Sequence, residues 1–331
     1  MASKMTKIFY ILPRYMKSPS GGVKVINRHV EVLENNGFPA FLFPPPGIQL
    51  PDWLEKKSRV WEGDRSTVNR SDIIVYGEYS RPIYKSLLNS EKRPFSIYFC
   101  QNHTGFELVR KPYDGSTLSP PISLKNTDQI MVVSNISRNE IIKRELDVPI
   151  TVISPDVQTE LFFPRKKRRL ISYMPRKRPK DAIEILEKFK LRFPHHADFE
   201  FYKIDNLAEG KVAEVLGESE IFLSLNYREG LGLPPLEAMA SGCVIVGFHG
   251  GGGKEYTSKY NGLWLERRDI EAYVSLLGKL CKIVKEAGPS YRSLLEHGYK
   301  TQKKFSTGKF ESNLLSFWKN FYSRNSVKLI P

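Results

Sequence analysis

Along the chain, short runs of β-branched and aromatic residues alternate with longer stretches in which apolar residues recur every three to four positions. Such alternation is the pattern of parallel strands flanked by helices. The first series of runs covers residues 8–12, 40–43, 73–76, 95–99, 129–133 and 151–153, and a second covers 170–173, 198–202, 221–225 and 244–248. Between the two series lies PRKKRRL, residues 164–170, which is charged and has no apolar period, so the linker is expected there. Near the C-terminus, Phe310, Leu314, Phe317, Trp318 and Phe321 fall at helical spacing within 308–325 and give one broad apolar face. No run reaches the length that spans a bilayer, and 8–12 is stopped by Pro13 and Arg14, too early for a signal-peptide core.

Composition narrows the picture. At 331 residues, with 40% hydrophobic and 26% charged positions, the chain suits two domains of ordinary size. A formal net charge of +15 favours anionic partners: polyanions, anionic lipid or phosphorylated small molecules. Three cysteines, Cys100, Cys243 and Cys281, make no disulfide framework, which fits a reducing cytoplasm.

Two stretches have the chemistry of phosphate and sugar sites. After the first run, Ser20, Gly21 and Gly22 precede a helix carrying Val23, Ile26, Val30 and Leu33 on one face, with Asn36 and Gly37 as its stop. A glycine-rich strand-to-helix turn admits an anion at a helix N-terminus, although glycine's freedom at positive φ explains the same residues as a plain turn. The second stretch, NYREGLGLPPLEAMASGCVIVGFHGGGGKEY, begins where the run 221–225 ends. Ligands of open α/β sheets sit beyond the carboxyl ends of strands, which places Glu229 at the mouth of a cleft. Pro234 and Pro235 suit a first helical turn, and Glu237 then points back toward the same mouth or complements the helix dipole. Gly250 to Gly253 would permit close backbone approach to a phosphate or sugar.

Glu229, seven intervening residues and Glu237, set in EGLGLPPLEAMASGCVIVG and followed by GGGKEY and NGLWL, closely resemble the donor-binding region of retaining family 4 glycosyltransferases. The similarity extends over most of the chain through SGGVKVINRHVEVLENNG, MVVSNISRNEI and TVISPDVQTELFFP, with Ser154-Pro155-Asp156 standing where the family has an Asn-Gly turn.

The resemblance implies an α/β chain of the GT-B fold, with two Rossmann-like doubly wound domains facing across a cleft and a C-terminal helix crossing back to the first. The corresponding expectation is an acceptor-binding domain over 1–160, a nucleotide-sugar-binding domain over 165–308 and a returning helix over 309–331.

The resemblance also assigns residues. Glu229 would hold the transferred sugar and Glu237 the ribose hydroxyls, where a carboxylate accepting from vicinal hydroxyls is a selective, charge-assisted contact. Gly230, Leu231, Gly232 and Leu233 would line the donor sugar and nucleotide. Arg176 and Lys180, with Lys177 as substitute, would neutralise the diphosphate together with Gly22. His103 would assist catalysis beside Glu229, and Gly21, Gly22, Glu78 and Asn102 would face the acceptor. Read without the family, the basic residues of 176–180 are a solvated charge run and His103 is a surface histidine. No Asp-x-Asp occurs and the histidines and cysteines lack zinc spacing, so no metal and no cofactor is expected, cations and helix N-termini serving instead.

The implied partners are a nucleotide-diphosphate sugar donor and a glycan, lipid-linked saccharide or small-molecule acceptor, with peripheral contact to an anionic membrane at its cytoplasmic face. One alternative enzyme is a GT-B sugar-nucleotide epimerase. A non-enzymatic alternative is a basic nucleic-acid- or membrane-binding protein led by residues 165–170. That run lacks the interleaved aromatics of single-strand binding, and no nucleic-acid partner is expected.

Overall fold

A computed structural model describes residues 6–14, 16–78, 93–104 and 127–324 of the chain. The chain divides into two compact units, one formed by 1–155 with 310–331 and the other by 156–309.

In the first unit, β1 (Ile8–Ile11), β2 (Ala40–Phe43), β3 (Ile73–Tyr76), β4 (Phe95–Cys100), β5 (Gln129–Val132) and β6 (Ile150–Val152) form one sheet in the order β2-β1-β3-β4-β5-β6. All its pairings are parallel. A fully parallel sheet is covered on both faces, which is why β1, β2 and β3 read as unbroken apolar runs and are buried at every position. α1 (Gly21–Asn35) follows β1 and buries Val23, Ile26, Val30 and Leu33; Gly37, at φ +78°, terminates it. α2 (Asn135–Ile142) starts at Ser134, whose side chain accepts the Ser137 N–H.

The second unit has its own parallel sheet, in the order β11-β10-β9-β7-β8. Its strands are β7 (Arg168–Tyr173), β8 (Glu200–Lys203), β9 (Ser219–Glu229), β10 (Val244–Gly251) and β11 (Leu263–Leu265). Its helices are α3 (Pro179–Arg192), α4 (Glu209–Glu218), α5 (Leu233–Ala240), α6 (Ile270–Glu286) and α7 (Pro289–Gln302). Tyr273, Val274, Leu277 and Cys281 of α6 meet Ile221, Leu223, Val244 and Val246 in the core. All three cysteines are buried and free.

α8 (Thr307–Arg324) buries Phe310, Leu314, Trp318, Phe321 and Tyr322. From Phe310 onward it belongs to the first unit. Trp318 meets Tyr10 edge-on at 6.4 Å, and Phe321 meets Phe95 at 4.5 Å.

The linker expected at 164–170 is corrected. The units divide after Pro155, within the Ser-Pro-Asp segment, and Arg168 to Leu170 already belong to β7. The charges that disguise this strand are paired. Arg168 bridges to Glu200 at 3.1 Å and Glu218 at 3.3 Å, and Arg169 reaches Glu220 at 3.5 Å. The Lys167 ammonium donates to the carbonyls of Ser219 at 2.7 Å and Ser241 at 2.6 Å. Much of the run offered to nucleic acid is therefore occupied within the protein.

Candidate active site

In the second unit, β9 extends past its apolar section through Asn226, Tyr227 and Arg228 to Glu229. Its register against β10 is regular up to the pair His249–Asn226 and then shifts, so that Gly251 pairs with Glu229. Two residues of β9 thus face one of β10, forming a bulge in which Arg228 has φ +49° and Gly250 φ +70°. Bulges of this kind re-aim side chains, and Glu229 is the side chain at this one.

Four glycines were expected to open this region to a ligand. Two of them serve the protein instead. A Cβ on Gly252 would lie 2.4 Å from the Gly230 carbonyl group, and one on Gly250 would lie 2.7 Å from the Asn226 Cβ and 3.0 Å from the Glu229 Cγ. These two glycines therefore let one backbone press against the segment that carries Glu229. Gly251 alone among the four has open space where a side chain would project.

Gly232, at φ +88°, turns the chain into α5, with Pro234 and Pro235 in the first turn. Glu237 is buried on that helix, and Leu231 is buried with it. The Tyr256 hydroxyl donates to the Gly232 carbonyl at 2.6 Å. Burial pushes the Tyr256 phenol well above its usual range, and the charges of Glu229 and Glu237 push it further the same way. Both glutamates therefore converge on one tyrosine.

Of the basic residues, Lys177 reaches this group: its Nζ lies 2.6 Å from Glu229 Oε1. Arg178 is structural, stacked over Tyr227 at 4.6 Å and Phe248 at 4.5 Å and bonded to Asp181 at 2.6 Å. Arg176 and Lys180 are exposed and form no ion pair among the described residues. Pro179 begins α3 and so places Lys180 in its first turn.

In the first unit, Gly21 opens α1 and has open space at its Cβ position. Gly22 packs against Gln101: a Cβ there would lie 2.7 Å from Gln101 Oε1, and the Gln101 amide donates to the Gly22 carbonyl at 3.1 Å. Glu78 is buried and accepts the Asn102 N–H at 2.6 Å. Burial pushes its carboxyl up to about 6, against the opposing pull of that N–H. Asn102 Oδ1 accepts from the Thr104 N–H at 3.1 Å and hydroxyl at 2.8 Å. His103 Nδ1 lies 3.0 Å from the Ser137 hydroxyl at the start of α2. The candidate residues therefore fall into two groups, Gly21, Gly22, Glu78, Asn102 and His103 on one unit and the rest on the other.

Residues 198–298, which carry β8 through most of α7 and both glutamates, match the family model described as Glycosyl transferases group 1. The chain is a glycosyltransferase with a region similar to that family. It is similar to an alpha-1,6-glucosyltransferase of Actinobacillus pleuropneumoniae serotype 7, with 27% identity over 267 residues and 76% of each chain covered. Its fold is that of the GT-B enzymes. The sucrose-phosphate synthase of Thermosynechococcus elongatus aligns with a TM-score of 0.70 at 13% identity, covering 96% of this chain and all of the other. The pneumococcal O-GlcNAc transferase GtfA, solved with UDP and GlcNAc, aligns with a TM-score of 0.67 at 10% identity, covering 97% and 99%.

Several residues of this glycosyltransferase that surround the glutamates escape the sequence. Tyr256 and His249 are far from Glu229 along the chain, and only His249 has a position near a strand end as a signal. Asn226 is buried, and its side-chain Nδ2 has no hydrogen-bond partner among the described residues.

Proposed function

We propose that the protein transfers glucose from UDP-glucose to a saccharide acceptor, with retention of configuration and without a metal. The observation that carries this reading is the convergence of Glu229, Lys177 and Glu237 at the bulged ends of β9 and β10, inside the region that matches the group 1 family. The glucosyl group is supported by the name of the Actinobacillus relative and UDP by the complex of the pneumococcal transferase. The matched family favours transfer over sugar-nucleotide epimerisation.

In this mechanism Glu237 accepts from the ribose hydroxyls and Glu229 from a sugar hydroxyl beside the reacting carbon. Lys177, Arg176 and Lys180 take the diphosphate charge as the bond to the sugar breaks, the role that preorganised cations play elsewhere. Lys177 then has two anionic partners, Glu229 before the donor binds and phosphate afterwards. Gly21 and Gly22, with Glu78 and Asn102, serve the acceptor side, and His103 assists catalysis. We place the enzyme in the cytoplasm. No helix among the described residues is long and apolar enough to cross a membrane, and the +15 charge supports salt-sensitive contact with an anionic bilayer. Failure to sediment with anionic vesicles at low ionic strength removes the membrane contact alone.

The test separates the two glutamates. UDP binding to the native state should raise the melting temperature of the wild-type protein. Glu237→Ala should weaken UDP and raise KM, because its contacts are equal in ground and transition states. Glu229→Ala should leave UDP affinity nearly unchanged and lower kcat by about 10²-fold, the scale of losing one preorganised polar group at the reacting ring. Equal losses of UDP affinity in both variants defeat the assignment. Two variants that melt early yet turn over normally would make both glutamates structural.

A further inference from the structure

His249 ends the regular part of β10 and its side chain is 7% exposed. Its Nδ1 accepts the N–H of Gly251 at 2.9 Å. A nitrogen that accepts an N–H carries no proton, so in this geometry the ring proton of the neutral histidine is on Nε2. That nitrogen lies 3.2 Å from Glu266 Oε2, and Glu266 also takes Lys254 at 2.9 Å. The imidazole is thus held at both ends, one of them on the bulge.

What it holds is a tight turn of the backbone. Gly251 has φ +88° and ψ −75°, the rare hand of the γ-turn. Gly250 and Arg228 also lie at positive φ, at +70° and +49°. Glycine adopts such angles freely, but Arg228 does not, and a non-glycine residue there persists only when surrounding contacts over-determine it. Opposite Gly251 is Glu229, and against the neighbouring Gly252 lies the Gly230 carbonyl. The bulge, not the side-chain rotamer alone, therefore decides where the Glu229 carboxylate begins.

We infer that His249 is a positioning residue of the donor site, fixing the β9–β10 bulge through the Gly251 N–H and so setting the reach of Glu229 toward the transferred sugar. The inference rests on the donor-site reading of Glu229. A misplacement on the order of 1 Å at a reacting group costs about 10²-fold in rate, so a residue that touches no substrate can still govern turnover.

Three variants test it. Asparagine places a carbonyl oxygen where Nδ1 stands, glutamine keeps a donor toward Glu266 but not that acceptor, and phenylalanine fills the volume with neither. His249→Asn should keep kcat within about threefold of wild type, whereas His249→Gln and His249→Phe should lose roughly 10- to 100-fold, with UDP affinity held within about threefold in all three. Amide hydrogen exchange over residues 249–253, measured without substrate, should rise in the Phe and Gln variants and not in Asn. Wild-type kcat in His249→Phe overturns the inference. So does an Asn variant as slow as Phe, a matching loss of UDP affinity, or unchanged exchange. If the wild type transfers nothing from any UDP-sugar, the donor-site reading fails by itself, and exchange still decides whether His249 holds the bulge.

Discussion

The two units share a fully parallel sheet yet are completed differently. The second draws its whole core from 156–309, with α6 supplying Tyr273, Val274, Leu277 and Cys281 to the strands that precede it. The first cannot close on its own contiguous sequence: Tyr10, His29 and Phe95 are covered by Trp318, Phe310 and Phe321, which arrive at the far end of the chain. Parallel strands need long crossovers, and α1 and α2 in the first unit and α3 to α5 in the second serve as such. Only the first also depends on ordering a remote segment, at the entropy cost of closing a long loop.

Trp318→Ala exposes this dependence most strongly. Trp318 is fully buried, and truncating a large aromatic in a packed core costs about 3–5 kcal/mol. Amide exchange resolved by peptide should show the loss in the six-stranded unit and leave the β7–β11 unit near wild type. Equal loosening of both units would show that neither is stabilised separately.

The same contrast governs what could be read from the sequence. Strands buried on both faces, β2 and β3 above all, are legible to the residue because every position is apolar. β7 is not, since its opening arginines look like a solvated run until Glu200, Glu218 and Glu220 are known to face them. β9 reads short because Asn226, Tyr227 and Arg228 break the apolar run at the bulge. Within the donor group, spacing identifies Glu229 and Glu237, but the partners that fix them belong to other elements. Lys177 and His249 each lie some distance along the chain from Glu229, and no local pattern announces a contact of that range. The glycine run was legible as a demand for close backbone approach; its principal object, the Glu229–Gly230 segment, was not.

A sharper version of the comparison lies within the basic run. Lys167 donates to the carbonyls of Ser219 and Ser241, and burial lowers its pKa, whereas its neighbour Lys166 is exposed. Lys167→Met should destabilise the second unit by about 2–3 kcal/mol, the range for hydrogen bonds to a charged group whose partners are left unsatisfied. Lys166→Met should change stability by no more than about 0.5 kcal/mol. Denaturant midpoints measured side by side decide the matter, and similar midpoints would return the whole run to the solvated face that its composition suggests.

The smallest effect concerns acidity, and it separates the polar rims of the two units. Glu78 in the first unit is buried with its carboxyl pushed up to about 6 from an ordinary 4.5, whereas Glu229 in the second has Lys177 beside it. A raised carboxyl pKa means that the folded state binds more protons than the unfolded state between about 4.5 and 6, so this group's contribution to stability falls as pH rises through that window. The full difference is up to about 2 kcal/mol, from roughly 1.4 kcal/mol for each unit of pKa. Glu78→Gln retains an acceptor for the Asn102 N–H and removes the titration. The stability of wild type minus that of Glu78→Gln should therefore be most favourable to wild type below about pH 4.5, fall across the window and level off above about pH 6. Chemical denaturation of both proteins at pH 4, 5, 6 and 7 gives that difference directly. A difference that stays flat would mean that the Asn102 N–H balances burial at Glu78, and one that rises with pH would mean that it outweighs burial.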